Sequence, residues 1–192
     1  MIKLSKRYLL TGLMLFGLLC SCTPQKSQEE SFNPPVEETG EDKHPGDSSS
    51  VTFEGTDMDG HSISQEICAD SRLTMINVWA TYCNPCLNEM PELGELAAEY
   101  DSADFQLLGI VSDVMEGQEE NIGYAAELIE ETGAEYPHLL LNESLYYGLL
   151  SDVSAVPTTF FLNEQGQVLD VVVGAMDKSG WKEKIDGLLE TL

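Results

Sequence analysis

The sequence predicts an α/β sandwich built on a mixed sheet. Three observations carry that prediction: apolar runs of strand length alternate with helix-patterned segments, a hairpin signal joins the last two runs, and one helical pattern closes the chain.

Residues 52–56 and 61–63 flank the turn-forming Asp57-Met58-Asp59-Gly60 and predict a hairpin at the front. Residues 73–80, with Ile76, Val78 and Trp79, are a mostly apolar run expected to be a buried strand. After the next turn, Leu87, Met90, Leu93, Ala97 and Tyr100 recur at helical spacing, with Pro91 expected to kink the helix. Residues 105–111 are a second strand-like run, and residues 122–132 a helix stopped by Gly133. A short strand at 138–141 and a short helix at 145–150 follow. Runs at 158–162 and 168–173, joined by Asn163-Glu164-Gln165-Gly166, predict a second hairpin. The last helix spans 179–191, with Trp181, Ile185, Leu188 and Leu189 on one face. No internal repeat is present.

The two ends of the chain differ chemically. Lys3, Lys6 and Arg7 precede an uncharged run over residues 8–20, the charged and apolar regions of a secretory signal. That run falls short of the roughly 20 residues a spanning helix needs. Its end, Leu19-Cys20-Ser21-Cys22, resembles a bacterial lipobox with Cys22 as the lipidated residue; the alternative is an ordinary signal peptide that leaves Cys22 a thiol. Three segments result: a signal peptide over 1–21, a lipidated Cys and acidic tether over 22–50, and one domain over 51–192. The tether carries Pro24, Pro34, Pro35 and Pro45 and little apolar besides Phe32 and Val36, a composition expected to be disordered. The mature protein is therefore expected outside the cytoplasm, held to the cell membrane through Cys22. With 34 Asp and Glu against 9 Lys and Arg, a net charge of −25, a nucleic-acid partner is disfavoured, because phosphate affinity comes from cationic side chains.

The thiols of the domain are Cys68, Cys83 and Cys86. The C-x-x-C of Cys83-Asn84-Pro85-Cys86 falls between a predicted strand and a predicted helix. Amides at a helix N-terminus stabilise a thiolate, so Cys83 can attack a disulfide and Cys86 can resolve the mixed intermediate. Other readings stay open at this point. Half of a zinc site would need Cys68, His61 or His138 as further ligands, although no second ligand pair is present. A structural disulfide would close too short a loop to constrain much of the unfolded chain. Haem attachment is excluded, since Leu87 stands where C-x-x-C-H needs His. Cys68 matches no motif and is expected to be a buried small hydrophobe.

The stretch from Asn77-Val78-Trp79-Ala80-Thr81-Tyr82-Cys83-Asn84-Pro85-Cys86 to Leu87-Asn88-Glu89-Met90-Pro91, with Val156-Pro157-Thr158-Thr159-Phe160 farther on, resembles the thioredoxin-like superfamily, specifically its extracytoplasmic TlpA/ResA group of membrane-anchored thiol-disulfide oxidoreductases. The likeness covers residues 51–192. It implies a three-layer thioredoxin-like sandwich, a mixed central sheet with flanking helices, an N-terminal β-hairpin and an inserted helix-strand element. By the same resemblance Cys83 is the exposed nucleophile, Cys86 the buried resolving thiol, and Glu89 the active-site glutamate that moves protons. Glu89 is favoured because Asn77 stands where thioredoxin carries a buried Asp; the bland alternative is a solvated glutamate among Glu92, Glu95 and Glu99. Pro157 is the implied cis proline, and Trp79, Tyr82, Val156 and Pro157 are implied to meet an extended client. Tyr82 departs from the Trp often found before the first Cys. No cofactor and no metal are expected beyond the two thiols.

No Lys or Arg lies between Arg72 and Lys178, so Cys83 has no nearby cation in sequence to stabilise a thiolate. A less stabilised thiolate means a less oxidising pair, which predicts a reductase of partner disulfides. The resemblance implies an oxidised extracytoplasmic client, of apocytochrome c or methionine sulfoxide reductase type, and a membrane electron donor for recycling. The acidic chain suits a client with a basic face. Two other classes are weighed: a lipoprotein that only binds, as a zinc or copper carrier or a docking scaffold, and a peroxidase. The peroxidase ranks last, because peroxiredoxins carry Thr three residues before the reactive Cys and this chain has Ala80.

Overall fold

The computed structural model describes residues 50–192. The signal segment, Cys22 and nearly all of the tether lie outside the described residues. The described residues begin with a hairpin of β1 (Glu54–Thr56) and β2 (Ser62–Ser64), paired antiparallel. Its turn follows from local chemistry: the Asp57 carboxylate accepts the N–H groups of Asp59 and His61 at 3.0 and 2.7 Å, and Gly60 takes φ 87°. A 3₁₀ turn, Gln65–Asp70, then leads into the main sheet.

That sheet has five strands in the order β5-β4-β3-β6-β7. β3 (Leu73–Trp79) is central, parallel to β4 (Phe105–Met115) and antiparallel to β6 (Thr158–Asn163). β5 (His138–Leu141) lies parallel on the outer side of β4, and β7 (Val168–Val173) antiparallel on the outer side of β6. Every residue of β3 is buried, as a strand covered on both faces must be. Met75 and Trp79, with Leu107 and Val111 of β4, face α1 (Asn84–Ala97), α2 (Glu119–Thr132) and α4 (Lys178–Leu189). Ile76 and Val78, with Leu108 and Ile110, face Phe53, Cys68, Leu145 and Leu149. The last two come from α3 (Glu143–Leu145) and the π-type turn Tyr146–Leu150. The result is the expected α/β three-layer sandwich with its mixed sheet, front hairpin and inserted α2–β5 element.

Several boundaries differ from the sequence reading. β4 runs on to Met115, skipping register against β5 between Val111 and Met115. Its polar end hides the strand signal, yet it carries Ser112 and Asp113 alongside the active-site turn. α1 continues through Pro91, where only one N–H is forgone, and ends at Ala97. Tyr100 therefore lies beyond the helix, its ring tilted at 53° against that of Phe105 with centroids 5.0 Å apart. The short helix begins earlier than expected, because the Asn142 side chain caps it by accepting the Leu145 N–H at 2.9 Å. No helix among the described residues is long and apolar enough to cross a membrane.

Candidate active site

The site is built where β3 ends and α1 begins. The Cys83 N–H bonds to the Ala80 carbonyl at 3.0 Å, turning the chain out of the sheet. Cys83 is the N-cap of α1, and its Sγ accepts the Cys86 N–H at 3.3 Å. Pro85 occupies the first turn, where a missing N–H costs nothing. Cys83 and Cys86 form a disulfide with Cα atoms 5.3 Å apart. Cys83 is 5% exposed and Cys86 fully buried, so Cys83 is the sulfur an incoming partner can meet. In the dithiol, the same helix N-terminus favours negative charge on Cys83.

Beside the cysteine turn, on the Tyr82 side, a cavity opens to solvent. Tyr82 is 75% exposed and shares with Val156, Tyr146, Leu150 and Val153 a cavity of about 260 Å³. The Val156–Pro157 bond is cis, and Pro157 is buried at the head of β6 with its carbonyl taken by the Gly174 N–H. Trp79 requires a correction. It was expected to meet a client, but it is fully buried and offers no surface. Its position on the inward face of β3 explains this, since the Ala80–Tyr82 turn and not the strand end reaches the exterior.

Glu89 lies one turn after Cys86 on α1 and is 3% exposed, unlike the solvated Glu95 on the same helix. Oε1 accepts the Asn77 amide at 3.0 Å, and Oε2 accepts the Met176 N–H and the Trp181 indole N–H, each at 3.2 Å. Burial is the largest influence and raises its pKa to about 6; the three donors pull the other way and the Glu92 charge adds a little. A cavity lined by Pro85, Asn88, Glu92 and Met176 joins Glu89 to solvent. Asn77, noted in the sequence only for standing where thioredoxin carries a buried Asp, reaches Glu89 from β3. Met176 and Trp181 were not recognised as site residues in the sequence, because their meeting with Glu89 depends on how α4 docks. Nor was Asp113, whose carboxylate accepts the Thr81 N–H and hydroxyl at 3.0 and 2.6 Å.

The cations do not reach the cysteines. Arg72 stands at the start of β3, paired with Asp104 at 3.2 Å, about 20 Å along the strand from its Cys83 end. Lys178 is held by Glu95 and Glu99 at 2.6 and 2.8 Å. The ligands a zinc reading would need are also placed elsewhere. His61 pairs with Asp57, Cys68 is sealed in the opposite layer with its thiol pKa pushed up by burial, and both His138 nitrogens are engaged. Among the described residues, the cysteine pair has no third His, Cys, Asp or Glu atom within metal-ligand reach.

A disulfide capping the first helix after a central strand, next to a cis-proline loop, defines a thioredoxin-like thiol-disulfide oxidoreductase. The chain belongs to the AhpC/TSA family, whose profile matches residues 47–171. It is 30% identical over 120 residues to the thioredoxin-like protein YneN of Bacillus subtilis, covering 62% of this chain and 66% of that one. It is 24% identical over 140 residues to the thiol-disulfide oxidoreductase ResA of Bacillus cereus, covering 73% and 74%. Among solved structures, a thiol:disulfide interchange protein of Chlorobium tepidum superposes with a TM-score of 0.63 at 22% identity, over 73% of this chain and 94% of that one.

Proposed function

We propose that this chain is an extracytoplasmic, lipid-tethered reductase of partner-protein disulfides. The observation that carries the reading is the Cys83 sulfur at the α1 N-terminus, accepting the Cys86 N–H, with the preceding residue Tyr82 lining a cavity shared with Val156. In the dithiol form, Cys83 thiolate attacks one sulfur of a client disulfide, forming a mixed disulfide and expelling a client thiolate that takes a proton. Glu89 removes the proton from Cys86, whose thiolate attacks Cys83 Sγ. The second client thiolate leaves, and the Cys83–Cys86 disulfide remains. Client and chain have exchanged two electrons. A membrane dithiol donor reverses the change, and the Cys22 anchor raises its effective concentration.

The client's extended segment lies along Tyr82 and Val156, with Pro157 shaping the loop. The absence of Lys and Arg between Arg72 and Lys178 favours a client with basic residues beside its cysteines. Apocytochrome c and methionine sulfoxide reductases are client types with suitable chemistry. The test is the equilibrium reduction potential of the cysteine pair together with Cys83→Ser. A potential near or below about −230 mV and complete loss of exchange in the variant support the reading. A potential near about −120 mV reverses the direction, and a variant that still exchanges removes Cys83 from its role.

A further inference from the structure

His138 is a buried imidazole that the exchange reaction does not use. It opens β5 opposite Gly109 of β4, on the same side of the sheet as Trp79. A Cβ at Gly109 would stand 2.1 Å from His138 Nδ1 and 2.7 Å from Cε1, so the ring lies on bare backbone that only glycine leaves open. Nδ1 is 3.0 Å from the Trp79 indole nitrogen, which can only donate, so Nδ1 carries the lone pair. Nε2 is 2.9 Å from the Ala134 carbonyl, which can only accept, so Nε2 carries the proton. Donor on one side and acceptor on the other hold a single neutral tautomer. The Tyr136 ring lies alongside at 4.4 Å, and Trp79 meets the imidazole edge-on at 5.6 Å.

The other end of this contact is the active-site turn. Ser112 Oγ donates to the Trp79 carbonyl at 2.9 Å, Asp113 holds Thr81, and Ala80 holds the Cys83 N–H. The backbone from Trp79 to Cys83 is thus pinned, and its one large side-chain anchor, Trp79, has His138 as its hydrogen-bond acceptor. We propose that His138 is a positioning residue for the cysteine pair: through the Trp79 indole it fixes the strand end from which the Ala80–Cys83 turn projects. This rests on the dithiol reading above. The titratable groups near the imidazole are Tyr136 beside it and Asp57, Asp59, Glu130 and Glu135, which share its cavity. Burial is the largest influence and brings the His138 pKa down to about 4, against the hydrogen bond to the Ala134 carbonyl, which raises it.

The experiment compares the full chain with His138→Leu, which removes the acceptor, and His138→Asn, which keeps an acceptor near the Nδ1 position. Exchange of the reduced proteins with oxidised glutathione and the reduction potential are measured, and the Trp79 indole N–H resonance is followed by NMR, assigned with Trp181→Phe. The Leu variant is expected to exchange about tenfold more slowly with a displaced indole resonance, and the Asn variant to recover most of the rate. A Leu variant with wild-type rate and potential despite a displaced resonance would overturn the proposal. If the Leu variant does not fold, the wild type decides: as pH falls from 6 to 3.5 its Trp79 resonance must shift and its exchange rate must fall in step by more than the roughly tenfold per pH unit that thiolate protonation alone gives, and a flat resonance overturns the proposal. A wild type that exchanges with no disulfide defeats the dithiol reading as well, whereas a flat resonance defeats this one alone.

Discussion

Two buried ionisable side chains back the cysteine pair, Glu89 at the junction of α1 and α4 and His138 at the junction of β4 and β5, and they are held in contrasting ways. Glu89 meets three donors and no acceptor. Those donors satisfy the carboxylate, while burial penalises its charge, and the balance leaves it titrating near about 6. His138 sits between one donor and one acceptor, a pattern that fits only the neutral ring. The difference teaches how a fold separates a group that gives and takes protons from one that holds a neighbour still. Opposed partners lock a state, and an all-donor cage around a desolvated acid leaves it switchable.

The largest expected effect breaks the His138 side without replacing either hydrogen-bonded ring. Gly109→Ala would drive a methyl into the imidazole, and β4 cannot retreat because strands pair with it on both sides. Overpacking of this kind costs up to about 3 kcal/mol, and the lower urea midpoint should come with slower disulfide exchange. The pH dependence contributed by Glu89 should persist in the folded fraction. An alanine variant as stable as the wild type would mean that the ring has a second seat.

Glu89→Gln breaks the other side. Removal of the acid is expected to slow release of the mixed disulfide about a hundredfold and to flatten the rate–pH profile around pH 6. The same change should stabilise the protein at pH 7 by up to about 2 kcal/mol, because the buried carboxylate no longer has to stay charged there. Asn77 assists: its Oδ1 is buried without a partner, and a flip of the amide would offer that oxygen to the new Gln N–H. Stopped-flow exchange and urea titration measure the two effects, and a variant both slower and less stable would contradict this account of Glu89.

The unequal visibility of these two regions in the sequence has a physical cause. The strand and helix pattern, the cysteine pair and the proline loop are local signals, so the α/β sandwich was legible from residues 51–192. The burial of Glu89 was not, since Glu92, Glu95 and Glu99 repeat its spacing and its donors Met176 and Trp181 arrive from the far end of the chain. His138 read as the first residue of a short strand. Its meaning depends on the β4–β5 register, which sets it over Gly109, and a glycine within an apolar strand was the one local hint. Ser112 and Asp113 were missed because polar residues end an apolar run on paper even where the strand continues.

The smallest expected effect is a near cancellation, and it sharpens the comparison most. Glu89 has a folded pKa above the ordinary carboxylate value, so its contribution to stability is lost as pH rises from about 4.5 through about 6. His138 has a folded pKa below the ordinary imidazole value, so its contribution is present above about pH 6.5 and is lost as pH falls towards about 4. Between about pH 4.5 and 6 the two slopes oppose each other, and together they should change wild-type stability by no more than about 1 kcal/mol. Other carboxylates with lowered pKa values, such as Asp57 and Asp170, add losses on the acid side, so the informative quantity is the difference between variants. Urea unfolding across this window should give a wild-type-minus-Glu89→Gln curve that falls with pH and levels off above about 6.5. Subtracting His138→Asn from wild type should give a stability curve that rises with pH about the same midpoint, near 5, but over a wider span and to a higher plateau, because the imidazole shift is the larger of the two. If the Glu89 difference is flat, the carboxyl is not held in the desolvated cage that distinguishes it from His138, and the contrast between a switchable and a locked group fails.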